Sequence, residues 1–183
     1  MSEVGSFAAD YDFSTKWSMG LQLMRRDIEA PAFDQEGNLI FQPQREDVAS
    51  GYMYWLPSEI VSATFEPRYQ EFERGGRFER MRLTELPFSL RMFWPNGLRA
   101  GLTVVGVEQE GTFDGLDEEF RGQDRFWLLD ATLAYRLPER IGTISVEGRN
   151  LLNEEFRFQE IEESVAPRYI PEAQYLLKLS LSF

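Results

Sequence analysis

Residues 173–183, AQYLLKLSLSF, place Tyr175, Leu177, Leu179, Leu181 and Phe183 at alternate positions, with Gln174, Lys178, Ser180 and Ser182 between them. Leu176 is the one exception. Successive side chains of a strand point to opposite faces, so period two over this length describes a ribbon with one apolar and one polar side. Such a ribbon needs its apolar side covered, either by a second layer of protein or by lipid. The pattern constrains the whole chain because it keeps returning.

Phe7, Ala9, Tyr11 and Phe13 alternate with Ala8, Asp10, Asp12 and Ser14, and after a tight turn Trp17, Met19, Leu21 and Leu23 continue it. Residues 25–44 read as a polar loop with Pro31, Gly37 and Pro43. A third strand over about 47–56 is rich in Tyr and Trp and does not reveal which face is which. Val61, Ala63, Phe65 and Tyr69 follow, with Pro67 marking a bulge or irregular pairing. Next come Leu86, Phe88, Leu90 and Met92, then, after Pro95-Asn96-Gly97, Leu98, Ala100, Leu102 and Val104. Residues 108–124 read as an acidic loop. Trp127, Leu129, Ala131, Leu133 and Tyr135 alternate with Asp130, Thr132, Ala134 and Arg136, and a strand over 143 to about 158 precedes the last one. Helical periodicity is nowhere sustained. The expected class is all-β and antiparallel, with about nine strands in up-and-down order.

Lipid and a second sheet are the two candidate covers. A soluble β-sandwich binding module also alternates, but two features favour a transmembrane β-barrel segment. Turns at 15–16, 57–59, 95–97 and 138–140 read as tight and connections at 30–46, 111–124 and 160–172 as long, the barrel arrangement; 73–77 is the short exception. Aromatic residues make up 14% of the chain, and Phe13, Trp17, Trp55, Trp94, Trp127, Tyr135 and Phe183 sit at strand ends, as a membrane-interface girdle requires. Residues 127–137 match the ~9–11 that a tilted strand needs to cross. The charges then look into an aqueous lumen, among them Asp130, Arg136, Glu147, Arg149 and Lys178, because Arg or Lys facing mid-bilayer lipid costs about 2–4 kcal/mol.

Nine strands form an odd number, whereas bacterial barrels use even ones, and two bare edges in lipid are not viable. The expectation is the C-terminal portion of a larger outer-membrane barrel, spanning 1–183 with no plug domain. Met1-Ser2-Glu3-Val4 does not open a signal peptide; the leader was removed, or the chain is the downstream piece of a longer protein.

Residues 127–137 (WLLDATLAYRL), residues 145–156 (SVEGRNLLNEEF) and the strand ending in Phe183 resemble the last three strands of TonB-dependent outer-membrane receptors. That family carries Asn-Leu-Phe-Asp followed by an aromatic, and a terminal Phe; this chain has Leu152 and Asn153 where Phe and Asp are usual. The resemblance covers 126–183. It implies the outer membrane of a Gram-negative bacterium and a transport or receptor function. Implied partners are outer-membrane lipid, the barrel assembly machinery (reading Tyr175, Leu177, Leu179, Leu181 and Phe183 as its signal) and TonB, through a plug outside this chain. Barrels of export porins, or of proteins with periplasmic repeat domains, share such a tail and are the alternative.

The chemistry is sparse. Cysteine and histidine are absent and the formal charge is −12, which argues against thiolate sites, His-based catalysis and a nucleic-acid partner. Glu108, Glu110, Asp114, Asp117, Glu118, Glu119 and Asp124 lack EF-hand spacing, as does the run Glu160, Glu162 and Glu163, so no metal is expected. Without a nucleophile motif, neither an enzyme nor a cofactor is expected. Trp94 and Trp127 fit the girdle better than a sugar platform, and Asn150 breaks the alternation and predicts a kink.

Overall fold

The structure, a computed structural model, describes residues 2–33, 36–74, 79–114, 119–155 and 172–181. The strands are β1 (Ser2–Ser14), β2 (Trp17–Phe33), β3 (Leu39–Ser58), β4 (Val61–Phe65), β5 (Arg68–Arg74), β6 (Glu79–Phe93), β7 (Leu98–Asp114), β8 (Glu119–Arg136), β9 (Gly142–Arg149) and β10 (Gln174–Leu181). They form a single antiparallel sheet in sequence order, and there is no α-helix among the described residues. β4 and β5 both lie between β3 and β6, so they are one strand interrupted at Glu66-Pro67, and the expected count of nine holds for the rows of the sheet. The interruption follows from proline chemistry, since Pro67 and Pro87 both lack an N–H. The backbone is satisfied around them, with the Gly51 N–H donating to the Pro67 carbonyl at 2.9 Å and the Glu66 N–H to the Pro87 carbonyl at 3.1 Å.

The strands are longer than their apolar alternation. Residues 25–44 are not a loop: β2 runs to Phe33 and β3 starts at Leu39. Residues 108–124 are likewise mostly strand, because β7 reaches Asp114 and β8 starts at Glu119. The physical reason is cross-strand pairing of unlike charges, described below, which takes over where apolar alternation stops. The expected asymmetry of connections is corrected accordingly. Connections at the two ends are similarly short up to β9, and what differs is how far the strands run past the apolar stretch at the end away from the short turns.

The eighth row also ends early. β9 stops at Arg149 rather than near 158, because Asn150 (φ 47°) and Asn153 (φ 49°) take left-handed backbone. Asparagine tolerates that conformation better than most residues. The Asn150 amide is bonded both ways to the Glu154 backbone, donating to its carbonyl at 3.1 Å and accepting from its N–H at 3.0 Å. The Asn150 backbone N–H donates to Asp130 Oδ1 at 2.9 Å. The predicted kink is therefore a turn held by a buried asparagine.

Register across the sheet is staggered. One row of partners runs Trp17, Trp55, Ala63, Leu90, Leu102, Ala131, Gly148, Tyr175. It starts beside the first short turn and ends on β10 six positions (175 to 181) above Leu181, which pairs with Gly142 beside the last short turn. About one residue of offset per strand is the kind of shear that closing a sheet on itself demands. Among the described residues β1 and β10 each have one neighbour, and they stand at the two ends of the sheet.

Candidate functional site

The register sorts the side chains into two faces. The first is apolar and carries Met19, Leu21 and Leu23 on β2, Phe88, Leu90 and Met92 on β6, Leu98, Leu102 and Val104 on β7, and Leu129, Leu133 and Tyr135 on β8. No other layer of described residues packs on it. Trp127 and Leu133 are 53% exposed, and Tyr175 and Leu177 on β10 are 73% exposed. Transfer of such surface from water is favourable by roughly 25 cal/mol per Å², so this area of large aliphatic and aromatic groups is a surface made to be covered.

Both ends of the apolar face carry aromatic rings. At the short-turn end Trp17 and Trp55 stack at 5.2 Å, and Phe13 meets Tyr11 edge-on at 4.6 Å. Tyr135 lies at the same end of β8, across from Leu98 and Ile144. Trp127 caps the other end of β8. Its ring covers Gly106 so closely that a Cβ there would come within 2.9 Å of it. Trp94 sits in the turn between β6 and β7, half-buried, its N–H donating to the Leu98 carbonyl at 2.9 Å. Phe183 lies outside the described residues. The other members of the proposed assembly signal, Tyr175, Leu177, Leu179 and Leu181, do share the apolar face of β10.

Beyond Leu23, Ala49, Tyr69 and Thr84 the same face changes character within one residue pair. The next row is Arg25, Asp47, Glu71, Arg82, Glu110, and the one after it includes Asp27, Arg45, Glu73 and Arg80. Arg25 makes a two-pronged pair with Asp47 at 2.6 and 2.9 Å, Arg45 reaches Asp27 at 3.0 Å, and Arg125 reaches Glu108 at 2.5 Å. Glu71 takes both Arg80 and Arg82. The Arg25 hydrogen bond holds the Asp47 carboxyl below its usual range, against the opposing effect of partial burial. Burial pushes Glu71 up, but hydrogen bonds from Arg80, Tyr69 and Arg82 outweigh it and the net direction is down. These pairs form an ionic collar bounding the apolar face. Sequence reading missed it, although Arg25-Arg26-Asp27 against Arg45-Glu46-Asp47, in opposite charge order, is the signal of an antiparallel hairpin.

The second face is mixed. Near the short turns it is polar: the Tyr52 hydroxyl donates to Asp10 at 2.5 Å and the Tyr54 hydroxyl to Glu66 at 3.0 Å, while Ser89 and Thr103 hydroxyls share a bond of 2.9 Å. The two tyrosine rings stack at 4.8 Å. This settles the faces of β3, with Tyr52 and Tyr54 on the polar side and Met53 and Trp55 on the apolar one. Gly20 is needed here, since a Cβ would meet the Tyr52 ring at 2.3 Å. Farther up, Leu83, Val107 and Phe126 (3% exposed) form the one buried apolar cluster among the described residues, flanked by Val105 and Leu128. Sequence reading had placed charged, hydroxylic and small residues on this face and did not foresee the apolar cluster.

All five residues expected on the polar side fall there by register: Asp130, Arg136, Glu147, Arg149 and Lys178. Lys178 reaches Glu147 at 2.9 Å and Arg149 reaches it at 3.4 Å, whereas Asp130 serves the Asn150 backbone rather than a charge ladder. Asp117, Glu118 and the glutamates at 160, 162 and 163 lie outside the described residues, and no cluster suited to a metal occurs among the described ones. Comparison with protein-family models, with curated proteins and with solved structures gives no match to this chain.

Proposed function

We propose that this chain is a wall section of an outer-membrane β-barrel of the transport or receptor type, its apolar face against lipid and its polar face lining an aqueous interior. The observation that carries the reading is the apolar face itself: continuous across the register, rimmed by Trp and Tyr at both ends, cut off by an ionic collar, and covered by no second sheet of described residues. From Trp127 to Tyr135 it extends about 26 Å along the strand at ~3.3 Å per residue. Tilted by about 40°, that is ~20 Å of height, near the ~25 Å apolar band of such barrels. Rings with a polar tip favour both headgroup layers, and paired charges belong in water beyond them. The stagger of about one residue per strand is the shear a tilted barrel uses.

Parity carries the larger assembly. β1 and β10 run in the same direction, being rows one and nine of an antiparallel series, so closing one on the other would make a parallel seam. An odd number of further strands restores antiparallel pairing throughout and leaves no edge in lipid. The resemblance of 126–183 to TonB-dependent receptors supports solute uptake as the task, with a plug supplied from outside these residues. Heat-modifiable migration tests the barrel: unheated protein from detergent should run apart from the boiled protein on a gel. A single band unaffected by boiling contradicts the proposal.

A further inference from the structure

We propose that Arg91, Arg99 and Arg136 form a subsite on the polar face for an oxyanionic solute, one bearing carboxylate or phosphate groups. The three arginines step diagonally across β6, β7 and β8. Arg91 lies opposite Gly101 and Phe93 opposite Arg99, so Arg91 and Arg99 are diagonal neighbours; Arg99 lies opposite Ala134, which makes Arg136 the next diagonal step. Diagonal side chains on one face stand roughly 7–8 Å apart at their roots, within reach of one another for groups as long as arginine.

Among the described residues they share with Arg68, which reaches only the Gln70 amide at 3.4 Å, the absence of a carboxylate partner, and they alone lie together. Elsewhere among the described residues, Arg25, Arg26, Arg45, Arg80, Arg82, Arg125 and Arg149 each hold a carboxylate. Arg91, Arg99 and Arg136 make no side-chain hydrogen bond or ion pair with any described residue. The chain has acid to spare, 31 Asp and Glu against 19 Lys and Arg, yet the carboxylates closest in register are engaged elsewhere. Glu66 accepts the Tyr54 hydroxyl at 3.0 Å, Asp130 the Asn150 backbone at 2.9 Å, and Glu147 takes Lys178 at 2.9 Å. The intervening positions are small or hydroxylic: Gly101 and Ala134 between the arginines, Ser62 and Thr132 beside them. Like charges set together repel, and a bound anion relieves that repulsion. Guanidinium forks match carboxylate and phosphate alike, two bonds at a time, so the shared chemistry is the oxyanion, and three forks suit a solute carrying more than one.

This deepens the transport reading by naming a solute class, and rests on it only for the statement that the face lines a passage. The test uses the full chain in detergent, titrated calorimetrically with inorganic pyrophosphate and, in a separate arm, citrate. Saturable binding of either probe is expected, weakened at least tenfold in R91Q/R99Q/R136Q and unchanged in R25Q/R82Q, which removes two collar arginines. Binding by one probe alone identifies which oxyanion is taken. If the triple variant fails to fold, R91Q and R136Q singly must each weaken binding at least twofold. No binding by either probe, or equal loss in the collar variant, overturns the site. Loss of the site with lipid contact intact leaves the barrel standing, and anion binding by a protein that shows no lipid contact keeps the site and removes the barrel.

Discussion

Replacing Leu102 with arginine is expected to destabilise the folded protein in a bilayer by about 2–4 kcal/mol, read by urea titration in lipid vesicles. Leu102 lies midway along the apolar stretch of β7, between Leu90 and Ala131, and is 44% exposed. That exposure decides what the experiment means. On a water-facing surface, a half-exposed leucine exchanged for arginine changes stability by no more than about 0.5 kcal/mol. In hydrocarbon the same exchange carries the cost of a guanidinium in lipid. Gln22→Arg, exposed on the opposite face between Ala8 and Ser50, is the control, expected to stay within about 0.5 kcal/mol. Equal small effects at both positions would mean that the apolar face meets water or is not embedded.

The second large effect is expected at Asn150. It is buried, holds the left-handed turn that ends β9, and bonds the Glu154 backbone in both directions. Asn150→Ala removes two hydrogen bonds worth about 1 kcal/mol each and adds about 1 kcal/mol for a Cβ residue without asparagine's tolerance of positive φ. The expected loss is about 3 kcal/mol in urea unfolding. Asn150→Gly removes the same bonds but keeps the backbone conformation, and so should lose only about 2 kcal/mol. If alanine and glycine cost the same, backbone strain is not part of the turn's stability. If both cost under about 0.5 kcal/mol, the side-chain bonds are not holding it.

The rows of the sheet were legible because apolar alternation is a direct image of the pleat, as in 127–136 or 174–181. Their length was not. Past Leu23 the sequence Met24-Arg25-Arg26-Asp27 looks like loop when only hydrophobicity is followed. It becomes strand when set against Arg45-Glu46-Asp47, a pairing that a single segment cannot display. Pro67 announced an interruption, but only the Gly51 and Pro87 contacts show that the row resumes on the same line as β5. The faces of Tyr52 and Tyr54 were ambiguous because tyrosine suits either face, and their bonds to Asp10 and Glu66 decide the matter. The girdle positions could be placed from sequence since each aromatic stood beside a short turn or a strand end. The three arginines with no carboxylate partner among the described residues could not, because a guanidinium is conspicuous only once the places of the surrounding carboxylates are known.

The central claim, that the apolar face meets hydrocarbon, is tested most directly by single-cysteine scanning of residues 128–134. The chain has no cysteine of its own, so each introduced thiol reports one position. With an environment-sensitive label in lipid vesicles, positions 129, 131 and 133 should be quenched by a bilayer-confined quencher and shielded from an aqueous one. Positions 130, 132 and 134 should show the reverse. A period of two with those assignments is the predicted result. Equal access of the aqueous quencher to both sets would contradict it.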